Sequence, residues 1–259
     1  MGRRVHVIPD RGSGNLYHWL VYMISNLGFV EINEGDYLAI HVLDTPFSFH
    51  RYTFWALVKI GLFAPDHIIP VSDITPDDTQ IIVPQHLNEY HPFDSDNAKK
   101  GYGFIRRLLL AGTEGMERYQ HNLLISRRDS VNSPYHKGVH GRHIFNEDEV
   151  FESLKELGFV FIVPGEMEFI DQIRMFYGAK LIVSPHGSAL LNLLVSPLDA
   201  TVIEITPNPV KYNHFKTVAS FAGINYIEYL NKAEEKPDFY DCMRIDVNRM
   251  LTVIGSISK

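Results

Sequence analysis

Four short stretches carry side chains whose types and spacing suit chemistry on an anionic substrate, and three of them end or lie in an apolar run. Leu181-Ile182-Val183 leads into Ser184-Pro185-His186-Gly187-Ser188-Ala189-Leu190-Leu191-Asn192. Small residues at 187–189 let backbone approach a ligand closely, and a helix starting there turns free N–H groups toward an anion. His186 adds a donor suited to a phosphate or diphosphate; a tight strand-to-helix turn with a capping histidine explains the same residues. Ile125-Ser126-Arg127-Arg128-Asp129 places arginine at a strand end, where its fork can grip a diphosphate. Adjacent arginines face different ways, so at most one of the pair reaches a ligand, and a solvated pair on a surface loop is the alternative. Glu204 lies inside Thr201-Val202-Ile203-Glu204-Ile205, where burial is costly unless the carboxylate is hydrogen-bonded. A ribose diol would satisfy it, as would backbone amides. Asn15-Leu16-Tyr17-His18-Trp19 follows the glycine-rich turn Pro9–Gly14, and His18 there suits a general base, although a lone histidine is more often structural.

Other polar groups carry less. Asp44, Asp73 and Asp10 follow or border strand-like runs and stand behind His18 as alternative bases. Asp94-Ser95-Asp96 matches a D-x-D metal-holding pattern, but it lies in the polar stretch 92–100 and reads as a solvated loop. His136, His140 and His143 have helical ligand spacing, which Gly138 and Gly141 contradict. Glu147-Asp148-Glu149 opens a helix, where acidic residues suit the macrodipole without any catalytic role.

Positioning these groups requires strands that alternate with helices. Strands are predicted at 5–8, 37–43, 68–70, 80–83, 122–126, 159–163, 180–184 and 201–205. Helices are predicted from Asn15 through Leu27 and over 49–59, 105–111, 146–157, 169–177 and 187–194. Such β-α-β alternation with β-branched strands predicts parallel sheets covered on both faces, whose ligands sit at the strands' carboxyl ends. The fold class is α/β, with two Rossmann-like halves facing a cleft. The halves are assigned to residues 1–110 and 111–238, with 105–111 carrying the chain between them. A terminal helical stretch, 239–257, is expected to pack back across the first half.

Composition sets the outer limits. The chain has 259 residues, and at about 150 residues per domain that is one to two domains. With 45% hydrophobic and 21% charged residues it is an ordinary globular composition, which excludes disordered, collagenous and coiled-coil classes. Net charge is −7, a poor balance for a general nucleic-acid coat, so nucleic acid is not an expected partner. The single cysteine, Cys242, cannot form an internal disulfide. No run of about 18 apolar residues and no signal-peptide core is present. The expected location is cytoplasmic, or that of a soluble catalytic domain separated from its anchor.

As an ordered set, these residues resemble glycosyltransferase family 61. The resemblance is carried by Ile125-Ser126-Arg127-Arg128, Arg142-His143-Ile144-Phe145-Asn146-Glu147-Asp148-Glu149, Gly158-Phe159, Phe169-Ile170-Asp171-Gln172-Ile173, Ala179–Asn192 and Val202-Ile203-Glu204-Ile205-Thr206-Pro207. It covers roughly residues 120–215, and Asn15-Leu16-Tyr17-His18-Trp19-Leu20 is similar to the family's aromatic-His-Trp helix start. The resemblance implies an inverting transferase of two-Rossmann, GT-B type that moves a sugar, xylose ahead of N-acetylglucosamine, from a UDP-sugar to an oligosaccharide or glycan hydroxyl. Carried over by position, it implies that Arg127, His186, Gly187, Ser188 and Asn192 line the donor diphosphate. Glu204 would lie near the ribose, with Arg142 and Asn146 in the matching motif. No metal or other cofactor is implied. Tyr22 stands where the family commonly has Asp, and Glu168 and Asp171 replace a Ser and a Glu. These departures touch the acceptor side and the base, and a non-catalytic glycan- or nucleotide-binding module is the rival reading.

Overall fold

The computed structural model describes residues 2–10, 12–41, 45–86, 95–129, 142–206, 213–231 and 243–257. The chain divides into two compact units, Met1–Met116 and Glu117–Lys259.

The first unit holds a four-stranded parallel sheet of β1 (Arg4–Val7), β2 (Tyr37–Ile40), β3 (Ile68–Pro70) and β4 (Thr79–Ile82), in the order β3-β2-β1-β4. In place of the predicted α-helix after β1, His18–Met23 is π-helical and Ile24–Phe29 is 3-10. Trp19 through Leu27 are nonetheless buried without a break, so this segment is enclosed on all sides. Two α-helices follow, α1 (Ser48–Lys59) and α2 (Asp96–Leu110). α2 is longer than its sequence signal: Ser95 Oγ accepts from the Ala98 N–H as an N-cap, and Ala98, Tyr102, Ile105, Leu108 and Leu109 are buried. That burial outweighs the helix cost of Gly101 and Gly103, about 1 kcal/mol each. Residues 96–100 are therefore helical and not a solvated loop, and α2 lies wholly within the first unit instead of linking the two.

The second unit is a five-stranded parallel sheet of β5 (His121–Ile125), β6 (Phe159–Ile162), β7 (Ala179–Pro185), β8 (Thr201–Thr206) and β9 (Asn225–Leu230). Its order, β6-β5-β7-β8-β9, is that of a doubly wound sheet with its switch point between β5 and β7. Connections are α3 (Glu147–Lys155), α4 (Phe169–Gly178), a 3-10 turn at Ser188–Val195 and α5 (His214–Ala222), which Gly223 ends at φ 74°. The helix α6 (Val247–Ile257) buries Met250 and Ile254 in a core with Val150, Leu154, Val183 and Ile205. It belongs to the second unit, so the expectation that the terminal helix packs on the first half is corrected: its apolar face joins buried Val150 and Leu154 of α3 and the sheet residues of the same core.

Both sheets are thus parallel and Rossmann-like in strand order. Among the described residues, no helix is long and apolar enough to cross a membrane.

Candidate functional site

β5 and β7 run outward from the switch point, and their carboxyl ends deliver Ser126-Arg127-Arg128 and His186-Gly187 side by side. The Arg127 guanidinium donates from Nη1 to the His186 carbonyl at 2.9 Å. A Cβ on Gly187 would fall on that same Nη1, so only glycine leaves the guanidinium its place. The backbone at Gly187 is extended, φ −179°, and imposes no glycine requirement of its own. Burial lowers the Arg127 pKa from the ordinary arginine value, with nearby Asp129 opposing.

Arg128 turns elsewhere. Its backbone N–H donates to Ser126 Oγ (3.1 Å), and Ser126 Oγ donates to Glu147 (2.8 Å). The Arg128 Nε lies 3.4 Å from the same carboxylate, and its guanidinium stacks 4.3 Å over Phe161. Glu147 is buried, and that burial raises its pKa although Ser126 and Arg128 favour the charged form. Its part in holding the arginine loop is invisible in a motif read as helix-opening acidity.

His186 is 7% exposed. Its Nδ1 hydrogen-bonds Glu204 Oε1, the other carboxylate oxygen accepts from Tyr226 Oη at 2.5 Å, and the Phe215 ring meets the imidazole edge-on at 4.8 Å. Burial lowers the His186 pKa; Glu204 pulls it up, while the charges of Arg142 and Arg127 push it down. Both arginines therefore sit within electrostatic reach of the imidazole. Arg142 holds a left-handed backbone, φ 61°, uncommon for a side chain of its size. Glu204 is 2% exposed, and among the described residues its partners are the His186 and Tyr226 side chains and not backbone amides. Tyr226 was missed: it lies on β9, a strand whose Asn-Tyr-Ile-Glu alternation gives no apolar run.

Asn192 is fully buried, and neither atom of its carboxamide has a hydrogen-bond partner among the described residues. Ser188 starts the 3-10 turn. Asn146 holds the chain behind Arg142: its Nδ2 donates to the Ile245 carbonyl (3.0 Å), and its Oδ1 accepts from the Ile245 N–H (2.9 Å).

In the first unit, exposed His18 opens the π-helix that follows the β1 loop, and its ring lies 5.1 Å from that of buried Tyr22. Asn15 Oδ1 accepts from the N–H groups of Tyr17 (2.9 Å) and His18 (3.2 Å), and Asp10 caps Ser13 N at 3.2 Å. Under this loop, buried His50 bonds Thr45 through Nδ1 (2.7 Å) and the Ser13 carbonyl through Nε2 (2.8 Å). Burial pushes the His50 pKa down to about 4.

Asp73 does not join this loop. The segment after β3 folds back under the sheet, with Val71 and Ile74 packed on Val5, Val7 and Ala39. Exposed Asp73 consequently meets Arg3, which donates to its carbonyl at 2.6 Å and pairs with Asp78 before β4. That is the amino edge of the sheet, where open α/β sheets do not bind ligands. Asp44, Asp94, His136, His140 and Cys242 lie outside the described residues. Ser95 and Asp96 open α2, with Asp96 paired to Lys99 at 3.2 Å. The His143 carbonyl accepts from Met243 N. No cluster of three potential metal-ligating side chains occurs among the described residues.

Two Rossmann-like parallel sheets, one gathering arginine, histidine and a glycine turn at its switch point, define an α/β protein whose second sheet carries groups suited to an anion. The family model for glycosyltransferase 61 matches residues 16–203, well over half of the chain, and the chain belongs to that family. It is 26% identical over 117 residues to the β-1,2-xylosyltransferase of Arabidopsis thaliana, a match covering 40% of this chain and 22% of that protein. It is 33% identical over 102 residues to protein O-linked-mannose β-1,4-N-acetylglucosaminyltransferase 2 of Takifugu rubripes, covering 36% of this chain and 17% of that protein. The human protein of that name is likewise 33% identical over 102 residues, with 36% and 18% covered. The matches span about a fifth of the length of these relatives.

Proposed function

We propose that the protein is an inverting, GT-B-type transferase that moves a sugar from a UDP-sugar donor to a glycan hydroxyl, without a metal ion. The observation that carries this reading is the Arg127 guanidinium seated over Gly187 at the switch point, with Arg142 charge close by. Two cations and the N–H groups of a turn suit a diphosphate, and stabilising the departing UDP is the main electrostatic task of glycosyl transfer. The buried carboxamide of Asn192 supplies a further donor and acceptor on the same turn. His18 in the first unit is the first choice of acceptor base, then Asp44, which keeps the place its sequence position gives it, with Asp10 in the turn before the His18 helix behind them. Xylose is the favoured sugar because a xylosyltransferase is among the matched relatives, and N-acetylglucosamine is the alternative for the same kind of reason.

Thermal shift and donor-hydrolysis assays with UDP, UDP-xylose, UDP-N-acetylglucosamine, UDP-glucose and GDP-mannose test the reading. A ligand at about 100 times its Kd stabilises the fold by about 2.7 kcal/mol, a readable midpoint shift. The expected result is a shift with UDP and one UDP-sugar, with turnover undiminished by EDTA. Binding without any turnover favours the non-catalytic module. Loss of activity in EDTA overturns metal independence, and no shift with any nucleotide overturns the donor site.

A further inference from the structure

We propose that Asp129 is a specificity-determining residue whose carboxylate takes the ribose diol of the nucleotide. The inference rests on the reading of the Gly187 turn as the diphosphate site. It departs from the place near a ribose that the family resemblance implies for Glu204.

Two glycines flank the β5 loop, and each makes room for one of its charged side chains. On the β7 side Gly187 seats Arg127. On the β6 side Gly165 seats Asp129: a Cβ at 165 would fall on Asp129 Oδ2, with Cγ at 2.8 Å behind it. Gly165 lies in the 3-10 turn Pro164–Glu166 that follows β6. The two loops leave the sheet together, since the Ser126 N–H donates to the Ile162 carbonyl at 2.8 Å. Gly165 is exposed and its backbone is not left-handed, so it is the Asp129 carboxylate that limits the side chain there. Asp129 is partly buried and acts on Arg127 through its charge. It makes no hydrogen bond or ion pair among the described residues, so its oxygens are open to a ligand.

A carboxylate only accepts hydrogen bonds. It repels phosphate oxygens, so whatever a bound nucleotide brings to it must carry O–H or N–H groups. With the diphosphate on Arg127, the ribose is the next part of the nucleotide. Its two vicinal hydroxyls match the two oxygens of one carboxylate, and such charge-assisted bonds are strong. Doubly wound sheets that bind dinucleotides likewise pair a phosphate turn with an acidic side chain for the ribose. Glu204 suits the task less: at 2% exposed, it offers a ligand almost no surface.

The test is the ratio of affinities for UDP and 2′-deoxy-UDP, measured by calorimetry. The wild type should favour UDP about tenfold or more, the effect of one charge-assisted hydrogen bond. Asp129→Ala also removes a repulsive charge, which strengthens both ligands alike, so only the ratio isolates the hydroxyl. That ratio should fall to within about twofold of unity. Gly165→Ala pushes the carboxylate from its seat and should lower the ratio as well, with no further loss when the two changes are combined. Glu166→Gln removes an exposed charge next to the seat and should leave the ratio unchanged. A preference that survives Asp129→Ala, or one lost in Glu166→Gln, overturns the assignment. A change confined to the ratio of UDP-xylose to UDP puts the carboxylate on the transferred sugar and overturns the ribose. Wild type that binds UDP and 2′-deoxy-UDP equally overturns the role of Asp129 alone. Wild type that binds neither overturns the diphosphate reading and this role with it.

Discussion

Gly187→Ala is the sharpest perturbation the structure offers, because it adds a single methyl group and nothing else. The extended backbone at 187 accepts alanine without conformational strain, so the whole effect must come from what the new Cβ meets. It meets the tip of Arg127, with Cζ at 3.1 Å and Cδ at 3.4 Å behind it. A flexible side-chain end can swing away, so the fold should lose only the net value of one hydrogen bond, about 1 kcal/mol. An anion held at the proposed site would lose more. A charge-assisted hydrogen bond is worth about 1.5–3 kcal/mol, which is about a 10- to 150-fold weaker Kd for UDP. Calorimetry gives the affinity, and urea unfolding of the single and double variants with Arg127→Ala gives the coupling. With the guanidinium gone, the methyl group has room, and Gly187→Ala should cost less than about 0.5 kcal/mol of stability. Equal costs in both backgrounds would refute the argument that the glycine exists for the arginine.

Three further outcomes follow from the geometry. Arg128→Ala, which removes only a partner of Glu147 and Phe161, should change UDP affinity by less than about twofold, whereas Arg127→Ala should weaken it about tenfold or more; calorimetry on the pair decides. His50 titrates at about 4 in the fold against 6.5 when unfolded, so the unfolded chain binds the extra proton between those values. The neutral ring's contribution is fully present above pH 6.5 and is lost as the pH falls toward 4, by about 3 kcal/mol in all. Urea unfolding at pH 7 and 4.5 should show that loss in the wild type and a flatter profile in His50→Gln.

The strands of both sheets were legible because parallel sheets, covered on both faces, need β-branched runs such as Leu181-Ile182-Val183 and Val202-Ile203. β9 was not, because an edge strand carries Glu228 and alternates, and with it went Tyr226. α5 was also unread, although Phe215, Val218, Ala219 and Ala222 followed by Gly223 give it a periodic face and a stop. The amino half of α2 hid behind two glycines and a polar start that tertiary burial overrides. That adjacent arginines part company could be read from alternation alone. Which one turns inward could not, since it depends on Ser126 and on Glu147, 21 residues along. Asp73 failed for a similar reason: a chain leaving a strand's carboxyl end need not stay there, and two apolar residues pull this one under the sheet.

The clamp behind Arg142 carries a consequence for synthesis. Four backbone and side-chain bonds tie 143–146 to 243–245: Met243 N to the His143 carbonyl, Phe145 N to the Met243 carbonyl, and the two Asn146–Ile245 contacts 99 residues apart. A ribosome delivers the chain at about 5–20 residues per second, so several seconds separate the arginine from the segment that anchors it. Through that interval β5 and its loop can form while the 243–245 contacts that brace residues 143–146, next to the left-handed Arg142, are still missing. The proposed anion site is therefore one of the last features of the second unit to be completed, and a nascent chain halted before residue 243 would carry Arg127 and His186 without the contacts that brace the segment following Arg142.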